Sequence, residues 1–159
     1  MTTLYVRDHN TFREAGSDEV LKRAQALLAQ RFRAGSPALS TPSLTREFLR
    51  MRVAGLDHEV FGAIALNTRH RVITIETLSQ GTIDRASVHP REVVKFALAH
   101  NAASLIFFHN HVSLVSEASQ ADELITRRLV EALSLIDVRV LDHLIIAEPI
   151  FSFAEHGLL

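Results

Sequence analysis

The sequence predicts a layered α/β domain, a mixed β-sheet flanked by helices, preceded by a helical N-terminal extension. Three observations predict it. Apolar residues recur at helical spacing in residues 18–33, 90–101 and 119–136. Short apolar or alternating runs of strand type lie between them, at 59–79, 103–108 and 138–146. Helices and strands therefore alternate in a mixed order, which suits layers rather than an all-helical bundle.

Taken in order, residues 18–33 place Val20, Leu21, Ala24, Leu27, Leu28 and Phe32 near one helical face, with Ser17 available as N-cap. Residues 34–43 (AGSPALSTPS) are rich in Gly, Pro and Ser and break that pattern, so the chain is divided into an extension, 1–36, and a main domain, 37–159. A second short helix runs from Leu44 to Val53. From Glu59 the period changes to that of a strand: EVFGAIALN is almost wholly apolar, NTRH makes a turn, and RVITIETLS alternates as its hairpin partner. Pro90 opens a helix because proline suits a first turn, His89 flanks its start, and Asn101 offers a stop. ASLIFF (103–108) is a buried strand, Ser119–Ile136 a helix, Val138–Ile146 another buried strand, and Phe151–Phe153 a last edge strand.

Composition narrows the chemistry. A chain of 159 residues, 47% of them hydrophobic, suits one domain with a sizeable core. It holds no apolar run long enough to cross a bilayer, and Arg7 and Asp8 interrupt any signal-peptide pattern, so a soluble, non-exported, cytoplasmic protein is expected. Cysteine is absent. Disulfides, thiolate zinc sites, iron–sulfur clusters and cysteine nucleophiles are thereby excluded, and any metal must sit on His, Asp or Glu. Residues 1–55 carry nine Arg or Lys against five acids, and residues 56–159 carry eight against thirteen. The basic N-terminal arm keeps a nucleic-acid contact open as an alternative, although its acids interleave with its bases and no continuous stripe forms.

The chemistry concentrates in FFHNHVSLVSEASQAD, Phe107 to Asp122. Side chains at i and i+2 of an extended chain share a face, so His109 and His111 can present two imidazoles to one point at a strand end. Asp122, one turn into the following helix, can close back as a third ligand. Two imidazoles and one carboxylate leave the fourth corner of a tetrahedral zinc open, the arrangement for activating water rather than for structural support. By itself His-x-His is equally compatible with ordinary polar loop residues.

The order His-x-His, seven residues, Ser, two residues, Asp resembles the JAMM signature of the JAB/MPN metalloproteases. GTIDRASVHPREVVKFALAHNAAS, LVEALSLIDVRVLDHLII and FSFAEHGLL look like the bacterial RadC branch of that family, and the resemblance covers roughly residues 37–159. It implies a JAB/MPN domain, related in shape to cytidine deaminases. It further implies a zinc ion (Zn2+) on His109, His111 and Asp122, Glu59 as general acid/base, Ser119 as donor to the tetrahedral oxyanion, and hydrolysis of a peptide or isopeptide bond in a peptide or protein substrate. Longer relatives carry a helix-hairpin-helix DNA-binding segment ahead of this domain, and no such G-x-G hairpin is visible here.

The departures are Val112, Leu114 and Ala118, where the RadC branch usually has Pro, Gly and Pro. Losing residues that fix a turn raises the entropy of the ligand-bearing loop. Looser zinc binding, altered substrate access and a catalytically silent interaction module with the same fold all stay open on that ground, as does a DNA-repair-associated role. Without the resemblance, Glu59 reads as a strand-start carboxylate pairing with Arg69 or Arg71. His143 reads as a core histidine bonded to Asp142 or to backbone rather than as a fourth ligand. His9, His58, His70, His100 and His156 follow no pattern. His109-Asn110-His111 matches the name of the HNH nucleases only in spelling, and a zinc deaminase would need a P-C-x-x-C segment.

Overall fold

The computed structural model describes residues 3–9, 11–31, 42–81, 88–113 and 115–159, and the chain divides into two compact units, Met1–Arg31 and Phe32–Leu159. In the first, β1 (Tyr5–Asp8) pairs antiparallel with β2 (Thr11–Glu14), and α1 (Ser17–Arg31) follows. The extension carries its expected helix and, ahead of it, a hairpin. Its signal was two runs of β-forming residues, LYV and TF, either side of His9-Asn10, and His9 does adopt φ 50°. The cap of α1 also lies one residue earlier than expected. The Gly16 carbonyl accepts from Glu19 and Val20 N–H, and the Glu19 carboxylate reaches back to Gly16 N–H at 3.3 Å. Residues 32–41, and with them the expected 36/37 boundary, lie outside the described residues.

The second unit begins with α2 (Pro42–Val53), which starts at a proline as a first turn allows. Then come β3 (Val60–Leu66), β4 (Val72–Gln80), α3 (Pro90–Ala99), β5 (Ser104–Asn110), α4 (Gln120–Ser134), β6 (Arg139–Ile146) and β7 (Phe151–Ser152). The strands form one sheet in the order β4-β3-β5-β6-β7, parallel only between β5 and β6 and antiparallel elsewhere. This is the mixed sheet that the element order predicted. Parallel neighbours need a long crossover, and α4 supplies it between β5 and β6. The β3–β4 turn closes on Asn67, whose side-chain oxygen accepts from the N–H groups of Arg69 and Arg71 at 2.9 and 3.0 Å.

β3 is buried at every residue because a strand with neighbours on both edges and layers on both faces sees no water, which accounts for its continuous apolar run. Its odd residues Phe61, Ala63 and Ala65 join Leu105 and Phe107 of β5 under α3 and α4, with Val93, Phe96, Leu129 and Leu133 from the helices. The opposite face carries α2, which buries Phe48, Leu49 and Val53. Gly62 is required there: a Cβ would come within 2.2 Å of the Phe108 ring and 2.7 Å of the Glu76 backbone oxygen. The α3 boundary matches its signals, with Pro90 in the first turn, His89 at the N-cap position and Asn101 at φ 47° just past the end. β5 runs two residues beyond the apolar segment that announced it and ends at Asn110. Its carboxyl end and the N-terminus of α4 therefore adjoin, at the place where α/β sheets usually hold ligands.

Candidate metal centre

Alternation along β5 sends Phe107 and His109 to the face under α4 and Asn110 to the other. His109 is 0% exposed and Asp122 1%, whereas the His111 side chain, just past the strand, keeps 12%. The three groups converge: His109 Nε2 lies 3.0 Å from His111 Nε2 and 3.4 Å from Asp122 Oδ1, and His111 Nε2 lies 3.6 Å from Asp122 Oδ2. A tetrahedral ion bound at about 2.05 Å would hold its ligand atoms about 3.3 Å apart. These closest approaches bracket that edge length through the two carboxylate oxygens, and with one donor atom taken from each residue the set lies within 4.8 Å.

Asp122 is placed by the start of α4. Ser119, the N-cap, and Asp122, three residues on, form a capping box: Asp122 N–H donates to Ser119 Oγ at 3.2 Å, and Ser119 N–H donates to Asp122 Oδ2 at 2.8 Å. The Ser119 hydroxyl also donates to Oδ2, at 2.6 Å. The other carboxylate oxygen, Oδ1, is buried with no hydrogen-bond partner. A buried carboxylate oxygen left without a partner is costly, and a cation between it and the two imidazoles relieves that cost. The residues present therefore fit a metal ion, as a His109–His111–Asp122 group.

The electrostatics are divided between dry and wet sides. Burial pushes the His109 imidazole down to about 4, against the attraction of Asp122. The Asp122 carboxylate, 3.6 Å away, raises His111, against its partial burial, and a bond of 2.8 Å to the Val115 carbonyl adds to it. Because that carbonyl only accepts, His111 Nδ1 carries the proton and Nε2 is left facing the centre. Burial raises the Asp122 carboxyl, but the nearby His111 and His109 imidazoles and the hydrogen bonds from Ser119 outweigh it and hold the group well below the usual carboxylate range.

Glu59 precedes β3, is half-buried, and is near enough for its charge to raise His111. Arg69 and Arg71 stand at the opposite end of β3, roughly 25 Å of extended chain away, so the pairing considered for Glu59 does not form. Asn110, absent from the sequence-derived set, holds this corner: its Oδ1 accepts from Val60 N–H at 2.7 Å and its amide donates to the His58 carbonyl at 3.1 Å. Those two backbone groups flank Glu59, and Gly81 N–H donates to the Glu59 carbonyl at 2.9 Å.

Among the altered loop positions, Val112 is 50% exposed, Leu114 lies outside the described residues, and Ala118 packs on Ile145, Ala147 and Phe153. Alanine at 118 leaves the capping box intact. His143 is fully buried as expected, but its partners differ from those predicted. Of the groups of His143, only the backbone N–H donates to Asp142, at 2.7 Å, while the ring bonds His109 Nδ1 at 2.8 Å and Thr126 Oγ1 at 2.7 Å. The reason is strand alternation: Asp142 and His143 face opposite sides of β6, and only the His143 side looks toward α4. The one signal in the sequence was a titratable residue inside an apolar run.

The RadC-like JAB domain family matches residues 39–158. Among curated proteins, the chain is 58% identical over 122 residues to a UPF0758 protein of Thioalkalivibrio sulfidiphilus, covering 77% of this chain and 55% of that one. It is 54% identical over 142 residues to a UPF0758 protein of Azotobacter vinelandii, covering 88% and 62%, and 49% identical over 140 residues to one of Vibrio cholerae, covering 88% of each. Against the first two of these relatives the chain spans little more than half of their length. Among the described residues no helix is long and apolar enough to cross a membrane.

Proposed function

The chain belongs to the RadC-like JAB domain family, and from that premise we propose that it is a zinc-dependent hydrolase of peptide or isopeptide bonds. The observation that carries the proposal is the convergence of His109, His111 and Asp122 with one carboxylate oxygen unpartnered. His109 Nε2, His111 Nε2 and Asp122 would hold the ion. Bound there, zinc supplies a Lewis acid that makes water a nucleophile near neutral pH.

Every other step falls to side chains. Glu59, half-buried beside His111, takes the proton from the attacking water and returns it to the leaving amine. Its backbone is held by the Asn110 clamp, so the carboxylate starts in place. Ser119 is exposed at the mouth of the site, and its hydroxyl turns from Asp122 Oδ2 to the developing oxyanion, a donor worth roughly 3 kcal/mol. Burial of His109 and Asp122 keeps water from competing for the ligands on the inner side and leaves approach to the His111 side.

Elemental analysis of the purified protein is expected to find about one zinc per chain, lost in the combined His109→Ala, His111→Ala variant. Full occupancy in that variant would put the metal elsewhere. Peptides and isopeptide-linked conjugates are expected to be cleaved by the wild type and to resist Glu59→Gln by roughly 100-fold or more, the usual scale of general acid–base catalysis. A second reading, an interaction module of the same fold without turnover, is favoured by the exposed Val112 in the ligand-bearing loop. Equal rates in wild type and Glu59→Gln would select it.

A further inference from the structure

His143 takes no part in the chemistry above, yet it occupies the inner end of a hydrogen-bond chain whose direction is fully determined. Thr126 Oγ1 lies 2.5 Å from the Asp122 backbone carbonyl, which has no proton to give, so the threonine hydroxyl donates there. Having used its one proton, Oγ1 turns a lone pair to His143 Nδ1, 2.7 Å away, and Nδ1 must carry a hydrogen. His143 Nε2 then accepts, and the hydrogen in the 2.8 Å contact belongs to His109 Nδ1. What remains on His109 is the Nε2 lone pair, aimed between His111 and Asp122.

The chain has no slack. The His143 ring is 0% exposed, stacks on Phe153 with centroids 4.7 Å apart, and meets Phe61 and Phe107 edge-on at 5.4 and 6.0 Å, so it cannot turn over to reverse its two nitrogens. Burial also disfavours a second proton on it. We infer that His143 and Thr126 are positioning residues that lock His109 in the tautomer with Nδ1 protonated, so that its Nε2 lone pair faces the ion site permanently. A histidine metal ligand usually gives its second N–H to a carboxylate, a backbone carbonyl or water. Here a neutral imidazole accepts it, so orientation is secured without adding a negative charge beside Asp122. Because α4 carries both Asp122 and Thr126, one helix fixes a ligand and the orientation of another ligand four residues apart.

Only the use of that lone pair for a metal rests on the hydrolase reading; the tautomer itself does not. The test compares wild type, His143→Leu, His143→Gln, which restores an acceptor, and Thr126→Val, which keeps side-chain volume. Long-range proton–nitrogen NMR of the metal-free protein reads the His109 tautomer, and competition with a chromophoric chelator reads zinc affinity. The wild type is expected to show His109 protonated only at Nδ1, with a mixed pattern in His143→Leu and Thr126→Val. Zinc affinity is expected to fall about 10- to 100-fold in His143→Leu and to recover to within a few-fold of wild type in His143→Gln. Should His143→Leu fail to fold, Thr126→Val decides. A His109 pattern and a zinc affinity unchanged in the folded variants would overturn the inference. A wild type that takes up no zinc would defeat the hydrolase reading instead, and the His109 tautomer would still decide this one.

Discussion

In the N-terminal unit every side chain of β2 is exposed, Tyr5 and Phe12 included among the exposed apolar groups of the hairpin, and a doubly bonded Arg13–Glu19 pair at 2.6 and 2.7 Å ties β2 to α1. In the sheet unit β3 is buried throughout, and Ala63, Ile64, Ala65, Leu105, Phe107, Leu129 and Leu133 are all 0% exposed. The first unit coheres through hydrogen bonds and a surface ion pair, which water and salt weaken. The second coheres through close packing, which holds each side chain in one rotamer. The difference teaches why the candidate site stands where it does. Ligand atoms must sit within about half an ångström of their places, and only side chains held by packing and further hydrogen bonds meet that demand.

The comparison can be pressed with substitutions of decreasing size. Phe107→Ala, emptying the layer between β5 and the α3–α4 pair, is expected to cost about 3–5 kcal/mol in urea unfolding followed by circular dichroism. A loss below 1 kcal/mol would mean that packing is not what holds the sheet unit. Asn110→Ala is expected to cost about 1–3 kcal/mol, because it strips the partners from Val60 N–H and the His58 carbonyl at a buried strand edge. Hydrogen exchange at Val60 should quicken with it, and unchanged exchange would argue that the amide clamp is dispensable.

The smallest effect belongs to the N-terminal unit. The Arg13 hydrogen bond holds the Glu19 carboxyl down, from its ordinary 4.5 to about 2. A group depressed in the folded state stabilises fully above its unfolded value, so this contact is complete above pH 4.5 and fades as pH falls through about 2. Titration of the Glu19 carboxyl carbon by NMR should give a midpoint near 2 in wild type, moving back toward 4.5 in Arg13→Ala. Coincident midpoints would remove the ion pair from the account of this unit.

Much of the fold was legible because periodicity reports burial. The β3 run, the alternating β4, Pro90 and Asn101 around α3 and the helical spacing that starts at Ser119 each act within a few residues of themselves, and the elements appear where those signals stand. The β1–β2 hairpin was missed because its two runs of four residues are shorter than a pattern needs in order to stand out from loop. The spacing of His109, His111, Ser119 and Asp122 was equally local, a strand end followed by a helix start, and the structure brings the two imidazoles and the carboxylate together there. Their catalytic and metal-holding roles remain the proposal made above.

The sequence by itself determined the element types of the sheet unit, the donor atoms available for a cation and the exclusion of thiolate chemistry, since these depend on residue identity and short spacing alone. Only the tertiary structure decided the partners of those donors. It brought His143 from β6 against the back of His109 and Thr126 from α4 against His143, set Asn110 across to the backbone on either side of Glu59, committed the Ser119 hydroxyl to Asp122, and left Asp122 Oδ1 without a partner. Such contacts join residues up to 52 positions apart in the chain. No local propensity encodes them, because a hydrogen bond is chosen by which groups the packed layers bring within 3 Å of each other.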